Sequence, residues 1–459
     1  MDSSAAAITA RLDRLPGSRH IWVLVLLLSL GGWFELYDLL MTAYVSPGLI
    51  RDGIFQAGKL GFLGLSDQAT FASVTFLGLW VGTLGFGSVA DRYGRRTIFT
   101  FSLLWYSAAT LIMATRDTAL WLDVWRFIAG IGIGIELVTI DTYLSELVPK
   151  AMRGRAFAVN QALQFACIPM AALLGWLLTP EAPFGISGWR FVAAFPALAA
   201  IAVWFIRRTV PESPRWLAQH GRTAEADRVT AWIEARVAAE RGIRLPPPGP
   251  PGPVDTGGAS LRDIWRPPYR RRTVMMMVFH FCQSIGFYGF GNWVPALLAA
   301  QGAGFTHSLQ YSFIIALASP TLPLLFVLFA DRVERKWQIC AAALGTASFG
   351  LLFSQAAGPA ALIACGVAIT VTNNLLSYSF HLYQAELFPT RVRARAVGFV
   401  YSFSRISTVF SSFMIAFFLQ NFGTVGVFSF ISAAMLVVVI AIGGFGPRTR
   451  GLALEQIAH

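Results

Sequence analysis

The chain has 459 residues, of which 55% are hydrophobic and 13% are charged, and its formal net charge is +12. Soluble globular proteins carry about 25% charged residues, so this composition excludes a water-soluble domain and makes the bilayer the solvent of the chain. A strongly basic chain can also bind nucleic acid, but the positions of the positive charges argue against that partner.

Apolar runs predict an all-α membrane protein with twelve transmembrane helices, because each run is near or above the roughly 20 residues that cross a bilayer. The predicted spans lie at about residues 21–45, 68–90, 97–115, 119–143, 154–180, 188–207, 272–300, 308–330, 336–356, 359–386, 393–420 and 423–446. Most of the 36 Lys and Arg residues fall in the two termini and in every second loop. By the positive-inside rule we expect both termini to be cytoplasmic. The expected location of the chain is the cell (inner) membrane.

The first span contains two carboxylates, Glu35 and Asp38, which are three positions apart on one helical face. A carboxylate at membrane depth is costly and marks a functional site by default. We therefore predict that at least one of the two carries a coupling proton, with Asp38 as the first candidate. The alternative is that either carboxylate only balances a buried arginine in a structural ion pair.

Span 2 ends in a basic stretch, Gly87 to Arg96, with the sequence GSVADRYGRR. This stretch resembles the G-x-x-x-D-R-x-G-R-R motif that follows the second span in the major facilitator superfamily. The resemblance implies a conformational latch on the cytoplasmic face, in which Asp91, Arg92 and Arg95 take part. The simpler alternative is that these charges only set the topology, although topology requires neither Asp91 nor Gly94.

The fourth span carries glycines at alternate positions from Gly130 to Gly134. Their spacing is weakly similar to that of a dinucleotide-binding loop, but no strand precedes them and they lie in mid-helix. We predict close helix packing instead, which Gly78 and Gly82 in span 2 would also allow.

Three charged residues of the fourth span are assigned to the gating machinery, namely Arg126, Glu136 and Asp141. Arg126 is expected to be structural and tied to an acid on the cytoplasmic side. The run R-x-x-x-G-x-G-x-G, continued by Tyr143, Glu146 and Arg153, resembles the sugar-porter and organic-ion branch of the superfamily. Val210 to Leu217, VPESPRWL, resembles the motif that closes the first half in the same branch.

An internal duplication organises the chain. Tyr143 to Val159 returns 240 positions later as Tyr383 to Phe399, and Ala90 to Arg96 returns as Ala330 to Lys336. Such a repeat, with polar loops between apolar spans, is typical of transporters built from two related halves. Recurring residues are interpreted as scaffold and gates, and unrepeated charges as sites for substrate or proton. The recurring gating residues are Asp91, Arg92, Glu146 and Arg153 in the first copy and Asp331, Arg332, Glu386 and Arg393 in the second.

The repeat predicts an N-terminal six-helix half at residues 1–207, a cytoplasmic linker at 208–271 and a C-terminal six-helix half at 272–459. The linker is predicted to contain an amphipathic helix at about Thr223 to Arg241. A stretch rich in helix breakers, PPPGPPGP at 246–253, follows that helix and is not expected to pack.

The second half supplies most of the predicted substrate contacts. Arg405 lies well inside span 11, where organic-anion carriers of the superfamily have a similar arginine. Its planar fork either holds a substrate carboxylate in two hydrogen bonds or pairs with Asp38 or Glu35. The other predicted substrate contacts are Tyr37, Gln283, Tyr288, Trp293, Asn374, His381 and Tyr383. Asp141 and His381 occupy equivalent positions of the repeat and are gate residues, a proton relay or a satisfied core pair.

Span 7 departs from the pattern of sugar porters, which usually carry a double Gln and a double Tyr there. This chain has only Gln283, followed by FYGF and NWVP, and is more similar to organic-acid and niacin-type carriers. The resemblance therefore implies the major facilitator fold and proton-coupled symport of a small organic anion, an aromatic or short carboxylate, by alternating access. The alternatives are a sugar or polyol proton symporter, a drug/proton antiporter and a receptor that transports nothing.

The sequence contains no motif for a catalytic triad, a nucleotide-binding loop or a metal site. Its four cysteines lie inside predicted spans without paired spacing, so they are interpreted as packing residues. We therefore expect no enzyme activity, no cofactor, no metal and no nucleic-acid partner. The expected partners are a small anionic substrate, a proton and the lipid bilayer, and the expected state is a monomer.

Overall fold

Long apolar runs fold as helices because backbone polar groups in a bilayer must be satisfied within their own segment. The computed structural model describes residues 2–56, 66–249, 261–267, 269–320, 333–388 and 390–449, and no strand occurs within those ranges. The first helices are α1 (Asp2–Asp13), α2 (Arg19–Leu40), α3 (Thr42–Arg51), α4 (Asp67–Tyr93), α5 (Arg95–Met113), α6 (Ala119–Leu147), α7 (Arg153–Phe165), α8 (Cys167–Leu178), α9 (Gly188–Ala194) and α10 (Ala199–Thr209). They are followed by α11 (Pro214–Gln219), α12 (Thr223–Arg241), α13 (Tyr269–Gly291), α14 (Val294–Ala300), α15 (Phe305–Ala316), α16 (Arg335–Gln355), α17 (Pro359–Leu387) and α18 (Thr390–Phe445).

Seven helical segments of the described ranges are long and apolar enough to cross a membrane. Described helix covers most of every predicted span except span 8, which runs from α15 into residues 321–332, outside the described ranges. Some spans consist of two helices, as where α2 and α3 meet at Met41. Conversely, α18 runs through two predicted spans and is interrupted at Gly423, where φ is 62° and ψ is −159°. Glycine adopts this backbone conformation without strain, so it separates spans 11 and 12.

Helices α4 and α6 pack with their backbones in contact. A Cβ added at Gly78 or Gly82 would run into the backbone of α6, and one added at Gly130 or Gly134 would run into the backbone of α4. Only glycine permits so close an approach. The predicted role of these glycines in helix packing is therefore confirmed.

Helices α2–α10 and helices α13–α18 form two groups. The groups meet where α4 packs against α18, where α8 packs against α15 and where α3 packs against α14. In the first of these contacts, the hydroxyl of Ser73 donates to the carbonyl of Val409 at 3.1 Å. The remaining helices, α1, α11 and α12, contact one another and lie at one end of the first group, which we call the linker end.

The predicted amphipathic helix is confirmed as α12, which covers the predicted residues from Thr223 to Arg241. It buries Ala226, Thr230, Ile233 and Val237 on one side and packs against α1 and α11. The helix ends at Gly242, which has a left-handed φ of 63° and closes the last turn.

The N-terminal helix α1 is tied to α12 by charged side chains. Arg11 pairs with Glu234 at 2.7 Å and with Asp227 at 2.8 Å, and Arg14 pairs with Glu234 at 2.6 Å. Burial raises the pKa of Glu234, but hydrogen bonds from Arg11 and Arg14 outweigh burial, so the net pKa lies below its ordinary value. Because the folded-state pKa is lowered, the contact stabilises the docked helix above the unfolded pKa of about 4.3 and is lost as the pH falls through the folded-state value.

Replacing Glu234 with glutamine should therefore release α1 at neutral pH. We expect trypsin to cleave after Arg11 and Arg14 several-fold faster in E234Q than in the unchanged chain, because cleavage requires a locally open backbone. The matched control is E225Q, since the Arg222–Glu225 pair lies on the exposed part of the same helix. Equal cleavage rates in the two variants would show that Glu234 does not hold α1.

Candidate functional site

A buried ion pair connects the first span to the fourth. An Nη1 of Arg126 lies 2.8 Å from a carboxylate oxygen of Asp38, and both side chains are fully buried. The other oxygen of Asp38 accepts a hydrogen bond from the hydroxyl of Thr110 at 3.1 Å. The guanidinium also donates to Thr75 at 2.9 Å, to Thr42 at 3.0 Å and to the backbone carbonyl of Asp38. Such complete pairing is what makes two buried charges tolerable.

This pairing corrects two sequence-based expectations. Arg126 is tied to Asp38, not to an acid at the cytoplasmic side, and Asp38 is therefore not the partner of Arg405. The reason is geometric, because α2, α4, α5 and α6 pack around one point and each contributes a polar side chain to it.

Arg405 has a different kind of environment. Its Nη1 donates to the hydroxyl of Tyr288 at 2.9 Å, and its guanidinium lies 4.9 Å from the centre of the Tyr401 ring. Glu35 is close enough to act on it electrostatically, but no described carboxylate forms an ion pair with it. The side chain is only 3% exposed. A buried guanidinium held by a hydroxyl and an aromatic ring keeps donors free for an anion.

Two equivalent positions of the repeat lie beside this arginine. Asp141 acts electrostatically on Glu35 and on Tyr401, and the His381 ring lies 6.0 Å from the Tyr401 ring. Both Asp141 and His381 are exposed although they lie within predicted spans. The structure describes no hydrogen bond or ion pair between the Asp141 and His381 side chains, so they do not form the satisfied core pair that the sequence left open.

A cavity of about 60 Å³ lies between the two groups of helices. Its lining includes the aromatic residues Tyr44, Phe287 and Phe290 and the polar residues Ser312, Ser319, Thr370, Asn373 and Asn374. Of the predicted substrate contacts, only Asn374 lines this cavity, and its amide donates to the carbonyl of Ser319 at 3.2 Å. The cavity wall contains hydrogen-bonding groups and aromatic faces but no charged side chain.

Four predicted substrate contacts lie in packed surroundings. Tyr37 is fully buried and donates its hydroxyl to the carbonyl of Val192 at 3.1 Å, while Gln283 and Trp293 are buried away from the cavity lining. Tyr383 donates to the carbonyl of Pro447 at 2.8 Å at the end of its helix. The structure thus contradicts a substrate contact for Tyr383, because its hydroxyl is engaged in helix-end packing.

The recurring charges form matching ion pairs in the two copies. Arg95 pairs with Glu146 at 3.2 Å, and Arg335 pairs with Glu386, the residues at the equivalent positions. Tyr143 likewise donates to the carbonyl of Pro211, as Tyr383 does to that of Pro447. We call these two clusters the first and second junction. The first junction ties the start of α5 to the end of α6, and the second ties the start of α16 to the end of α17.

The first junction also contains a carboxylate that caps a helix. Glu212 accepts hydrogen bonds from the backbone amides of Arg95 at 2.9 Å and Arg96 at 3.2 Å, at the start of α5. Anions at this position satisfy free amides and the positive end of the helix dipole. Burial raises the pKa of Glu212 and outweighs the lowering by hydrogen bonds from Ser213, Arg96 and Arg95. Gly94 precedes the cap with a φ of 96°, and a Cβ there would clash with Glu212.

In the second junction the carboxylate lies in the basic loop, not in the segment after the last helix. Glu334, at the position equivalent to Gly94, accepts a hydrogen bond from the backbone amide of Thr449 at 2.9 Å. In this copy the basic loop supplies the acid and the segment after the last helix supplies the amide. In the first copy, the segment after the last helix supplies the acid, Glu212.

The structure describes several of the predicted gating residues only in part. Asp331 and Arg332 lie outside the described residues, as do the side chains of Asp91 and Arg393. Arg92 is exposed and lies over the ring of Tyr93. Arg153 contacts Asp13 of α1 at 3.5 Å, so it connects the basic loop after α6 to the N-terminal helix.

Sequence reasoning missed three residues of these clusters. Arg335 follows from the repeat, because it is the equivalent of Arg95 and pairs with the predicted Glu386. Glu212 lies in the quoted VPESPRWL stretch, where an acid between two prolines outside any helix was a usable signal. Thr110 carried no signal, because threonines are frequent in spans and only packing shows which one reaches Asp38.

Several helical segments long and apolar enough to cross a bilayer, with charges paired between them, make this a multi-pass membrane protein. The chain matches the family model described as sugar (and other) transporter over residues 24–459. It is 30% identical over 442 residues to YyaJ of Bacillus subtilis, covering 96% of this chain and 95% of that protein. It is 27% identical over 453 residues to the niacin transporter NiaP of Acinetobacter baylyi, covering 98% of this chain and 99% of that protein.

The fold also matches a solved transporter structure. The partially occluded inward-open conformation of the xylose transporter XylE from E. coli superposes with a TM-score of 0.76, at 19% identity, over 95% of this chain and 100% of that chain. The chain therefore belongs to the sugar (and other) transporter family, within the major facilitator superfamily. The predicted all-α fold class is confirmed, and the chain is a membrane transporter, not an enzyme.

Proposed function

We propose that the chain is a proton-coupled symporter that takes up a small organic anion, an aromatic or short carboxylate. The observation that carries this proposal is Arg405, a buried guanidinium that has hydroxyl and ring partners but no ion pair with a described carboxylate. A planar fork with free donors suits a carboxylate, which it can hold in two hydrogen bonds. The similarity to a niacin transporter supports an aromatic carboxylate.

Coupling follows from the charge balance around Arg405. When Glu35 is ionised, its negative charge partly balances the guanidinium. When Glu35 is protonated, the guanidinium has an unbalanced charge and attracts the substrate anion more strongly. Proton and anion therefore favour each other's binding, which is the thermodynamic requirement for symport. The Asp38–Arg126 pair provides a second carboxylate whose protonation would release Arg126 and loosen the packing of α2 against α6.

The proposal includes the organisation of the chain. Residues 1–207 and 272–459 would form two halves that rock about the central site, joined by the linker at 208–271. The junctions, with Arg95 and Glu146 in one copy, would open and close access from the linker end. A monomer in the cell (inner) membrane with both termini in the cytoplasm fits the excess of Lys and Arg in alternate loops.

The test of coupling uses the purified chain in proteoliposomes with radiolabelled nicotinate as the probe. An imposed pH gradient should drive accumulation in the unchanged chain. D38N and E35Q should lose accumulation but retain nicotinate exchange at equal pH, because exchange needs substrate binding without net proton movement. Accumulation that is undiminished in both variants would rule out coupling through these carboxylates.

The role of Arg405 is tested by binding. R405A should weaken nicotinate binding by about 10- to 100-fold, since a hydrogen bond to a charged group contributes about 1.5–3 kcal/mol. R405K is the matched control, because lysine keeps the positive charge but lacks the planar guanidinium. Its nicotinate affinity should lie between those of the unchanged chain and R405A. The measurement is the ligand-induced shift in melting temperature across a nicotinate titration. An unchanged titration in R405A would remove Arg405 from the substrate site.

A sugar or polyol remains the second candidate because of one observation. The cavity between the helix groups has neutral amides and hydroxyls in its wall, including Asn373, Asn374 and Ser312. Such groups suit substrate hydroxyls. The same thermal-shift titration with xylose decides between the two, since a xylose response that is indifferent to R405A would favour the sugar.

A further inference from the structure

One buried carboxyl group has no part in the clusters described above. Glu136 lies in the middle of α6, and its side chain is fully buried. Neither of its oxygens accepts a hydrogen bond from any residue that the structure describes. The buried charges of the Asp38–Arg126 pair, by contrast, are satisfied on all sides.

The surroundings of Glu136 offer no compensating positive charge. It packs against the backbone of α2 at Gly31, where an added Cβ would lie 2.8 Å from one carboxyl oxygen, next to the ring of Phe99. Tyr106 of α5 is also fully buried, and its hydroxyl has no partner among the described residues. Glu35 of α2 acts on Glu136 as a second acid.

The other elements packed on α6 contribute no nearby base. The α4 segment between Asp67 and Asp91 contains no ionisable residue, and neither does the α7 segment between Arg155 and Cys167. Arg126 is engaged with Asp38, and Arg405 lies beyond Glu35. Asp141, one turn further along α6, adds a second negative charge near Glu35.

An ionised carboxylate in this position would be very unfavourable. Removing a charge from water without a partner costs several kcal/mol in real proteins, and a second acid nearby raises that cost. Two neighbouring carboxyl groups in such a site cannot both be ionised, so they hold a proton between them.

We propose that Glu136 and Glu35 form a proton-binding carboxyl pair, in which Glu136 holds the proton while the core around it is closed. The proton enters from water on the side to which the site is open and leaves to water when the packing of α2 against α6 loosens. Glu136 thereby adds a proton site separate from Asp38–Arg126, and its role in transport rests on the proposed symport. This differs from the gating role that the sequence indicated for Glu136.

The test uses infrared difference spectroscopy of the full chain in lipid, without substrate or pH gradient. We expect a carbonyl-stretch band of a protonated carboxyl group at pH 7 that shifts in deuterated water. E136Q, which is nearly isosteric, should lose this band. E225Q serves as the matched control and should keep the band, because it makes the same change in an exposed glutamate that is paired with Arg222 and lies outside the core. An unchanged band in E136Q would overturn the proposal.

A second variant keeps the inference testable if E136Q does not fold. In E35Q the neighbouring negative charge is gone, so the Glu136 band should titrate away at a pH lower by about one unit or more. An identical titration in E35Q and the unchanged chain would overturn the pairing. Because the measurement needs no transport, its failure is distinct from a failure of nicotinate uptake, and either can occur without the other.

Discussion

Replacing Arg126 with alanine should abolish accumulation of substrate and lower the free energy of unfolding by about 3–5 kcal/mol, because it leaves the carboxylate of Asp38 buried without its partner. The guanidinium donates four hydrogen bonds, to Asp38, Thr75 and Thr42, and an alanine would remove all four. The measurements are the melting temperature of the purified chain and nicotinate accumulation in proteoliposomes.

The matched control is R190A. Arg190 also pairs with an aspartate, Asp117, but that carboxylate is 79% exposed, and an exposed pair contributes about 0–1 kcal/mol. The double variant D38N/R126Q should recover much of the stability, since neither charge remains, while pH-driven accumulation stays lost. Wild-type stability in R126A would show that Asp38 is already neutral in the folded chain and that the pair is not an ion pair.

Replacing Gly94 with alanine should destabilise the first junction more than the addition of one methyl group would suggest. The φ of 96° at this position strains any side chain by about 1–3 kcal/mol, and the added Cβ would push Glu212 from the start of α5. Loss of that cap costs about 0.5–2 kcal/mol more. We expect a lower melting temperature and slower nicotinate exchange in proteoliposomes.

Gly358 provides the matched control for backbone strain alone. Its φ is 86° and its ψ is 160°, close to the 96° and 153° of Gly94, and an added Cβ would meet no atom within 4 Å. G358A should therefore show the strain without the displaced cap, and the difference between the two variants measures the contribution of Glu212. E212Q keeps an acceptor oxygen and removes a charge that burial disfavours, so it should resemble the unchanged chain. E212A should lose only the cap, so its loss should equal the difference between G94A and the strain control. Equal losses in G94A and G358A would mean that the cap by Glu212 contributes no stability.

The sequence predicted the parts of this structure that depend on periodicity and repetition. Apolar runs indicate helices because a bilayer permits few alternatives, and the bounds of α12 follow from its amphipathic pattern and the glycine after it. The repeat predicts that Glu146 and Glu386 play the same part, and the structure gives both an arginine at equivalent positions.

Partners from different helices could not be predicted in the same way. Whether Arg126 reaches Asp38 depends on the rotation and depth of four packed helices, and a shift of one residue turns a side chain by about 100°. The docking of α1 through Arg11 and Glu234 joins residues 223 positions apart on polar surfaces, where no apolar pattern records the contact. The missing partners of Glu136 are likewise a property of packing, not of spacing.

The acid lies after the last helix in the first junction, as Glu212, and in the basic loop in the second, as Glu334. The two junctions are therefore attached to different parts of the chain. The acid of the first junction sits on the segment that continues through α11 into α12, whereas the acid of the second receives its amide from Thr449, near the end of the chain. A force on α12, to which α1 is clamped, is therefore transmitted to one junction and not to the other. The two junctions thus need not release in the same step, and the order of their release can be tuned from outside the bilayer.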